Sequence, residues 1–178
     1  MHTYIALFRA INVGGKNTLP MKSLTVLLES IGATEIRTYI QSGNAVFHHA
    51  GAEAGPIATS LVNAIEALHG FAPQVLLLRR EDILQACSRN PFPEAETDPA
   101  SLHLGFLAAV PPAPDLHKLT SLKKDNERFL LDGKVFYLHA PDGVGRSKLA
   151  ASSERLLGVP MTDRNWRTVS TLRAWVES

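Results

Sequence analysis

The order of apolar and polar positions in the first half of the chain predicts strands and helices in alternation. A continuous apolar run, Tyr4 to Phe8, is typical of a strand buried on both faces, so we expect it in the middle of a sheet. Helical spacing follows from Met21 to Ile31, and Gly32 should end that helix. Alternation over 35–40 and a return strand at 45–47 predict a hairpin, with Ser42 and Gly43 in its turn.

A second helix should run from Pro56 to about Gly70, and a short buried strand should follow at Val75–Leu78. The order strand, helix, hairpin, helix, strand is the split βαβ, or ferredoxin-like, unit. A short helix is then expected over about 80–88.

The second half repeats strand, helix, hairpin, helix. A strand is predicted from Leu102 to Val110, a helix from Pro114, and a hairpin around Asp132-Gly133. Another helix should open after Gly143–Lys148, and a C-terminal helix should start with Thr162 as its N-cap. We therefore predict an α+β protein of two ferredoxin-like lobes with mainly antiparallel sheets, plus a C-terminal helix. The Pro-rich, acidic stretch 91–99 predicts a connection between lobes at 1–90 and 100–178.

Composition adds few constraints on function. A chain of 178 residues can form one large domain or two small lobes, and its net charge of +1 gives no global attraction to nucleic acid or membrane. A single cysteine, Cys87, excludes an intrachain disulfide and fits a reducing compartment. We find no signal peptide and no apolar run of the roughly 20 residues that a membrane helix needs, so a cytoplasmic location is expected.

Two polar segments of the first half are candidates for ligand binding. After the first strand come Arg9, Asn12 and Lys16 around a Gly14-Gly15 pair, which could let a ligand approach the backbone or could form an ordinary loop. In the hairpin, alternation places three polar side chains on one surface near Asn44; they are Arg37, Tyr39 and Gln41.

The second half offers two further segments. Ser147 should cap a helix at Gly143–Lys148, where Arg146, Lys148 and open backbone amides could hold a phosphate or carboxylate; the alternative is a capped loop with solvated cations. Arg164 and Arg167, three residues apart on the predicted C-terminal helix, could grip an anion together. Alternatively, Asp163 or Glu154 neutralises them.

Signals of catalysis are weak. The seven histidines form no metal-ligand set, no nucleophile elbow is present, and Cys87 falls among helix-core positions, where an inert buried thiol is expected. We assign no catalytic residue, metal or cofactor from the sequence.

Four motifs taken together resemble the bacterial family called domain of unknown function 1697: residues 9–17, 38–44, 146–149 and 164–169, with Ala10 where glycine is more usual. The resemblance covers nearly the whole chain and implies two ferredoxin-like lobes, but no activity. Because these residues are mostly polar and lie at strand ends, a turn and helix starts, we predict that they line a cleft between the lobes. The predicted ligand-binding residues are Arg9, Asn12, Lys16, Tyr39, Gln41, Asn44, Arg146, Ser147, Lys148, Arg164, Asn165 and Arg167.

Three functional hypotheses follow. In the first, the protein is a binding protein for, or an enzyme acting on, a phosphorylated or otherwise anionic small molecule such as a nucleotide. Arg146, Lys148 and Arg164 would hold the anion, and Tyr39 and Trp166 would stack on a ring. In the second it is a nucleic-acid-binding module, although the aromatic pattern of an RRM is missing. In the third the polar motifs are caps, turns and internal hydrogen bonds of a structural or partner-binding protein.

Overall fold

A computed structural model describes residues 1–41 and 43–178, so the predicted turn residue Ser42 lies outside the described residues. The chain forms two compact units, Met1–Leu84 with Ala174–Ser178, and Gln85–Arg173. The stretch 91–99 contains a 3-10 helix, Pro93–Thr97, and belongs to the second unit.

The first unit contains one sheet and two helices in the predicted order. Its elements are β1 (His2–Arg9), α1 (Met21–Ser30), β2 (Thr34–Tyr39), β3 (Asn44–His49), α2 (Ala54–His69) and β4 (Gln74–Arg79). The strands are antiparallel in the order β2-β3-β1-β4, which is the ferredoxin-like arrangement. α3 (Arg80–Ser88) follows β4, as predicted.

The two faces of the first sheet differ. Tyr4, Ala6 and Phe8 of the central strand pack in one core with residues of α1 and α2. Because successive strand residues point to opposite faces, Ile5 and Leu7 lie on the other face, and both are fully buried there. The prediction of a central strand buried on both sides is confirmed.

The second unit repeats this arrangement. Its elements are β5 (Leu102–Leu107), α4 (Leu116–Leu122), β6 (Arg128–Asp132), β7 (Val135–His139), α5 (Lys148–Leu157) and β8 (Met161–Asn165). The antiparallel order is β6-β7-β5-β8, so the α+β fold with two ferredoxin-like lobes is confirmed. A C-terminal helix, α6 (Trp166–Glu177), is also present.

β8 corrects the prediction that a helix begins at Thr162. Residues 161–165 pair with β5 from Met161 opposite Leu107 to Asn165 opposite His103. The helix begins only at Trp166, and its cap is Asn165, whose Oδ1 accepts a hydrogen bond from the Thr168 amide at 3.1 Å. Thr162 resembles an N-cap locally, but pairing with a buried central strand outweighs this local preference.

Candidate functional site

The Gly14-Gly15 pair of the first unit forms a tight turn. Lys16 N donates to Val13 O at 3.1 Å, and both glycines have positive φ, 59° and 72°. Two left-handed central residues define a type I′ turn, which suits a short hairpin. Nothing lies within 4 Å of a Cβ placed on either glycine, and Val13 is 64% exposed, so this turn projects into solvent.

Asn12 joins this loop to the β2–β3 turn. Its Nδ2 donates to Leu19 O at 2.9 Å and to Gln41 O at 2.7 Å, while its Oδ1 accepts from Leu19 N at 2.7 Å. Asn17 closes the same loop by donating from Nδ2 to Ala10 O at 3.0 Å. The loop is therefore ordered by its own side chains.

Asn44 and Gly43 order the neighbouring turn. Asn44 is fully buried, and its Nδ2 donates to Tyr39 O at 3.0 Å. Gly43 has φ of +90°, and its carbonyl accepts from Phe8 N. A Cβ on Gly43 would lie 2.8 Å from Phe8 Cβ and 2.5 Å from Ile11 Cδ1, so this position admits only glycine without rearrangement.

Left-handed backbone is concentrated in these two loops. Among the described residues, five that are not glycine have positive φ: Ala10, Asn12, Asn17, Glu35 and Ile40. Four of these five lie in the two loops, and Glu35 lies where the β2–β3 register shifts. The left-handed conformation costs about 1–2 kcal/mol for a residue that carries a Cβ, and most for a β-branched one such as Ile40. Such strain is typically found at functional sites.

A cation and two aromatic rings lie beside these loops. The register of β2 and β3 pairs Arg37 with Val46 and Tyr39 with Asn44, so Arg37 and Tyr39 share a face. The Arg37 guanidinium carbon lies 4.1 Å from the centre of the Trp175 ring, within cation–π range. Tyr39 meets the same ring edge-on, at 5.7 Å between centroids and 84° between planes.

We call residues 9–19, 37–41, 43–44 and Trp175 the paired-loop surface. It brings together six predicted ligand-binding residues: Arg9, Asn12, Lys16, Tyr39, Gln41 and Asn44. Asn12 and Asn44 hold the loops in place, Arg9 and Tyr39 are half-buried, and Lys16 and Gln41 are exposed. Trp175 could not be assigned to a partner from the sequence, because its contacts are over 130 residues away.

The second unit places its predicted residues differently. Ser147 is 3% exposed and caps α5 as predicted, its Oγ accepting from Ala150 N at 3.0 Å, while Arg146 and Lys148 are exposed beside it. The expectation that Arg164 and Arg167 project from one helix is wrong, because Arg164 belongs to strand β8 and Arg167 to α6.

The two carboxylates proposed as partners of those arginines both make hydrogen-bonded contacts within the second unit. Asp163 Oδ2 lies 2.7 Å from His103 Nδ1, and Glu154 Oε2 accepts from Met161 N at 2.7 Å. His103 Nε2 lies 3.2 Å from Ala100 O. Both ring nitrogens therefore face acceptors, an arrangement that favours the protonated ring, which donates from both nitrogens. Burial lowers the pKa of His103, but the hydrogen bond and charge of Asp163 and the Ala100 carbonyl outweigh it, and the net pKa is raised.

The chain matches a protein-family model over most of its length. The model of a family described as "Protein of unknown function (DUF1697)" matches residues 1–137. The chain belongs to this DUF1697 family. The matched range includes the motifs at 9–17 and 38–44, whereas those at 146–149 and 164–169 lie beyond it.

A solved structure shares the fold of this DUF1697 chain. It is the conserved bacterial protein SP0830 from Streptococcus pneumoniae, with a TM-score of 0.65 and 23% sequence identity over 100% of this chain and 99% of that one. No curated protein gave a significant match.

A second charged cluster of the DUF1697 chain escaped the sequence analysis. Arg128 forms an ion pair with Glu94, lies 4.5 Å from the Phe92 ring centre and donates from Nη2 to His139 Nδ1 at 2.9 Å. The hydrogen bond from Arg128 holds the pKa of Glu94 below its usual value. Burial and then the Arg128 charge lower the pKa of His139, so its ring is neutral at pH 7.

The described residues contain neither a cluster of metal-ligating side chains nor a membrane-spanning helix. Within residues 1–41 and 43–178, no group of three or more His, Cys, Asp or Glu side chains is placed to hold a metal ion. Over the same residues, no helix combines the length and apolar character needed to cross a membrane.

Proposed function

We propose that this DUF1697 protein binds a small anionic or phosphorylated molecule at the paired-loop surface. The observation that carries the proposal is the concentration of left-handed, strained backbone in two loops that side-chain hydrogen bonds hold in place. An ordered, strained loop lowers the entropy that must be lost when a ligand binds, which favours a binding role.

Local charge supports an anion as the ligand. Residues 9–19 and 36–52 contain no aspartate or glutamate, while they contribute Arg9, Lys16 and Arg37. The field near these loops is therefore positive although the whole chain has a net charge of only +1. Among the cations of the paired-loop surface, Lys16 is exposed at the projecting turn, and Arg37 is oriented by the Trp175 ring.

Of the two rings predicted to stack on a ligand, Tyr39 remains accessible and Trp166 does not. Trp166 is 5% exposed and belongs to the core, so its ring is not available to stack on a ligand. Tyr39 and Trp175 are half-buried and remain the rings beside the cations. A nucleotide, which joins a phosphate to a planar base, matches this combination.

The nucleic-acid alternative receives less support. An RRM stacks bases on exposed aromatic residues of the sheet face opposite its helices. In the first unit, the centre of that face carries Ile5, Leu7 and Val46, which are buried, and its half-buried aromatic residue, Tyr39, lies on the edge strand β2. The third hypothesis, in which the polar motifs serve as caps, turns and internal hydrogen bonds, fits four of the predicted residues. Each of them makes an internal hydrogen bond that orders a loop or a helix start: Asn12, Asn44, Ser147 and Asn165.

The proposal includes a cytoplasmic location, in keeping with the single cysteine, Cys87, which is buried as expected for an inert thiol.

A thermal-shift screen of nucleoside phosphates, sugar phosphates and pyrophosphate, followed by calorimetry, tests this function. We expect Lys16→Ala and Tyr39→Ala to weaken binding of any hit about tenfold, because each removes one charged or stacking contact. Lys22→Ala is the matched control, since Lys22 is exposed on α1 of the same unit and loses the same charge. Equal effects of Lys16→Ala and Lys22→Ala, or no hit in the screen, would contradict the proposal.

The second unit is tested with the same ligands. Arg146→Ala and Lys148→Ala remove the exposed cations beside the α5 start but leave the Ser147 cap intact. If these two variants alone lose binding, the ligand belongs to the second unit and the paired-loop surface is not its site.

A further inference from the structure

The second unit contains a cavity of about 270 Å³ between its sheet and α5. Its lining includes Phe136, Leu138, Val144, Ala150, Met161 and Asp163. All of these except Asp163 are apolar. Ser153 also lines the cavity, but its hydroxyl already donates to Ala150 O at 2.8 Å.

Asp163 therefore supplies the polar end of the cavity. His103 holds carboxylate oxygen Oδ2 at 2.7 Å, and the carbonyl of Ala100 holds the far side of the imidazole ring. This chain of contacts fixes the carboxylate in position. The Asp163 side chain is nevertheless 43% exposed, which leaves its carboxylate accessible to a further donor.

We propose that this cavity binds a small neutral molecule that consists of one ring and one hydroxyl group, with the hydroxyl donating to Asp163 Oδ1. The size fits, because an apolar cavity of about 150 Å³ is enough to hold benzene. The additional volume leaves room for a substituent. The apolar walls cover the ring, and the carboxylate accepts the hydrogen bond of the hydroxyl at the polar end.

Charge excludes the other common classes of ligand. Of the described residues that line the cavity, none is basic, so an anion would meet the Asp163 carboxylate without a counterion. The Asp163 carboxylate is already paired with His103 at 2.7 Å, so a cation would gain little from entering. The His103–Asp163 pair therefore accommodates a neutral hydrogen-bond donor. This site is consequently distinct in chemistry from the anion site proposed for the first unit.

The test uses the full chain, with phenol as the probe and benzene as a matched probe that lacks the donor. Binding is followed by titration of methyl NMR signals, among which those of Val144, Ala150 and Met161 should shift. Asp163→Asn should weaken phenol binding roughly tenfold, because a hydrogen bond to a charged acceptor is replaced by one to a neutral amide. Benzene binding should be unchanged. Asp125→Asn, an exposed carboxylate outside the cavity, is the control for the change in charge.

A second variant keeps the test valid if Asp163→Asn perturbs folding. Ala151 lines the cavity but is exposed on α5, so Ala151→Leu should narrow the cavity, leave the His103–Asp163 pair intact and weaken both probes. Ala174→Leu, an exposed helical position in the other unit, is its control. Absence of phenol binding at millimolar concentration would overturn the proposal. So would binding that shifts none of the three methyl signals, or binding that neither Asp163→Asn nor Ala151→Leu weakens.

Discussion

Replacing Asn12 by alanine should be among the most damaging single changes in the paired-loop surface. The substitution removes three hydrogen bonds, which join residues 12, 19 and 41. At 0.5–1.5 kcal/mol each, these contribute about 3 kcal/mol in total. Asn12 is half-buried, so water can replace some of these hydrogen bonds in the variant, which reduces the expected loss from them to about 2 kcal/mol. Asn12 also has φ of +54°, where alanine is disfavoured by about 1 kcal/mol, so the expected loss is about 3 kcal/mol.

Equilibrium urea unfolding followed by circular dichroism measures this loss. Asn17→Ala is a close control, because Asn17 has φ of +51° in the same loop but makes one side-chain hydrogen bond, in an exposed setting. The control should lose about 1–1.5 kcal/mol. If the two alanine variants lose the same stability, the hydrogen bonds of Asn12 do not stabilise the fold and our account of the loop is wrong.

Three further variants test other parts of the structure. Because the folded-state pKa of His103 is raised above its ordinary 6.5, its pair with Asp163 stabilises fully below pH 6.5 and loses this effect as pH rises through the raised value. Unfolding free energies measured from pH 6 upward should fall in the wild type, and less so in Asp163→Asn; parallel curves would contradict the pairing. Gly43→Ala should lose about 2–4 kcal/mol in urea unfolding from overlap and its positive φ, whereas Gly145→Ala, with open space around it, should lose under about 1 kcal/mol. Ile40→Asn should gain about 1 kcal/mol in stability by relieving a β-branched residue at φ of +50°, and a decrease in the melting temperature would refute the assignment of strain.

Most of the fold could be predicted because its elements have strong local patterns. The run Tyr4–Phe8 predicted a central strand, and Asp132-Gly133 predicted the turn between β6 and β7. β8 was missed for a physical reason. Residues 161–165 are mostly polar and form an edge strand, bonded only to β5, so they lack the apolar run that marks a buried strand.

The candidate site could be predicted only in part. Period-two alternation correctly grouped Arg37 with Tyr39, since strand geometry sets which side chains share a face. The same reasoning failed for Arg164 and Arg167, because it assumed a helix where the chain forms a strand. The Gly14-Gly15 pair was predicted as either a ligand cradle or a loop, and its two positive φ angles identify a type I′ turn.

Much of the local order along the chain was thus contained in the amino-acid pattern: the sequence of elements up to α5, which glycines permit turns, and which serine caps a helix. Contacts between residues far apart in the sequence were not contained in that pattern. His103 and Asp163 are 60 positions apart, and Trp175 meets Arg37 and Tyr39 from the other end of the polypeptide. Propensity and periodicity depend on a few neighbouring residues, whereas partners such as these are chosen by strand register and by the packing of whole elements, which exist only in the folded chain.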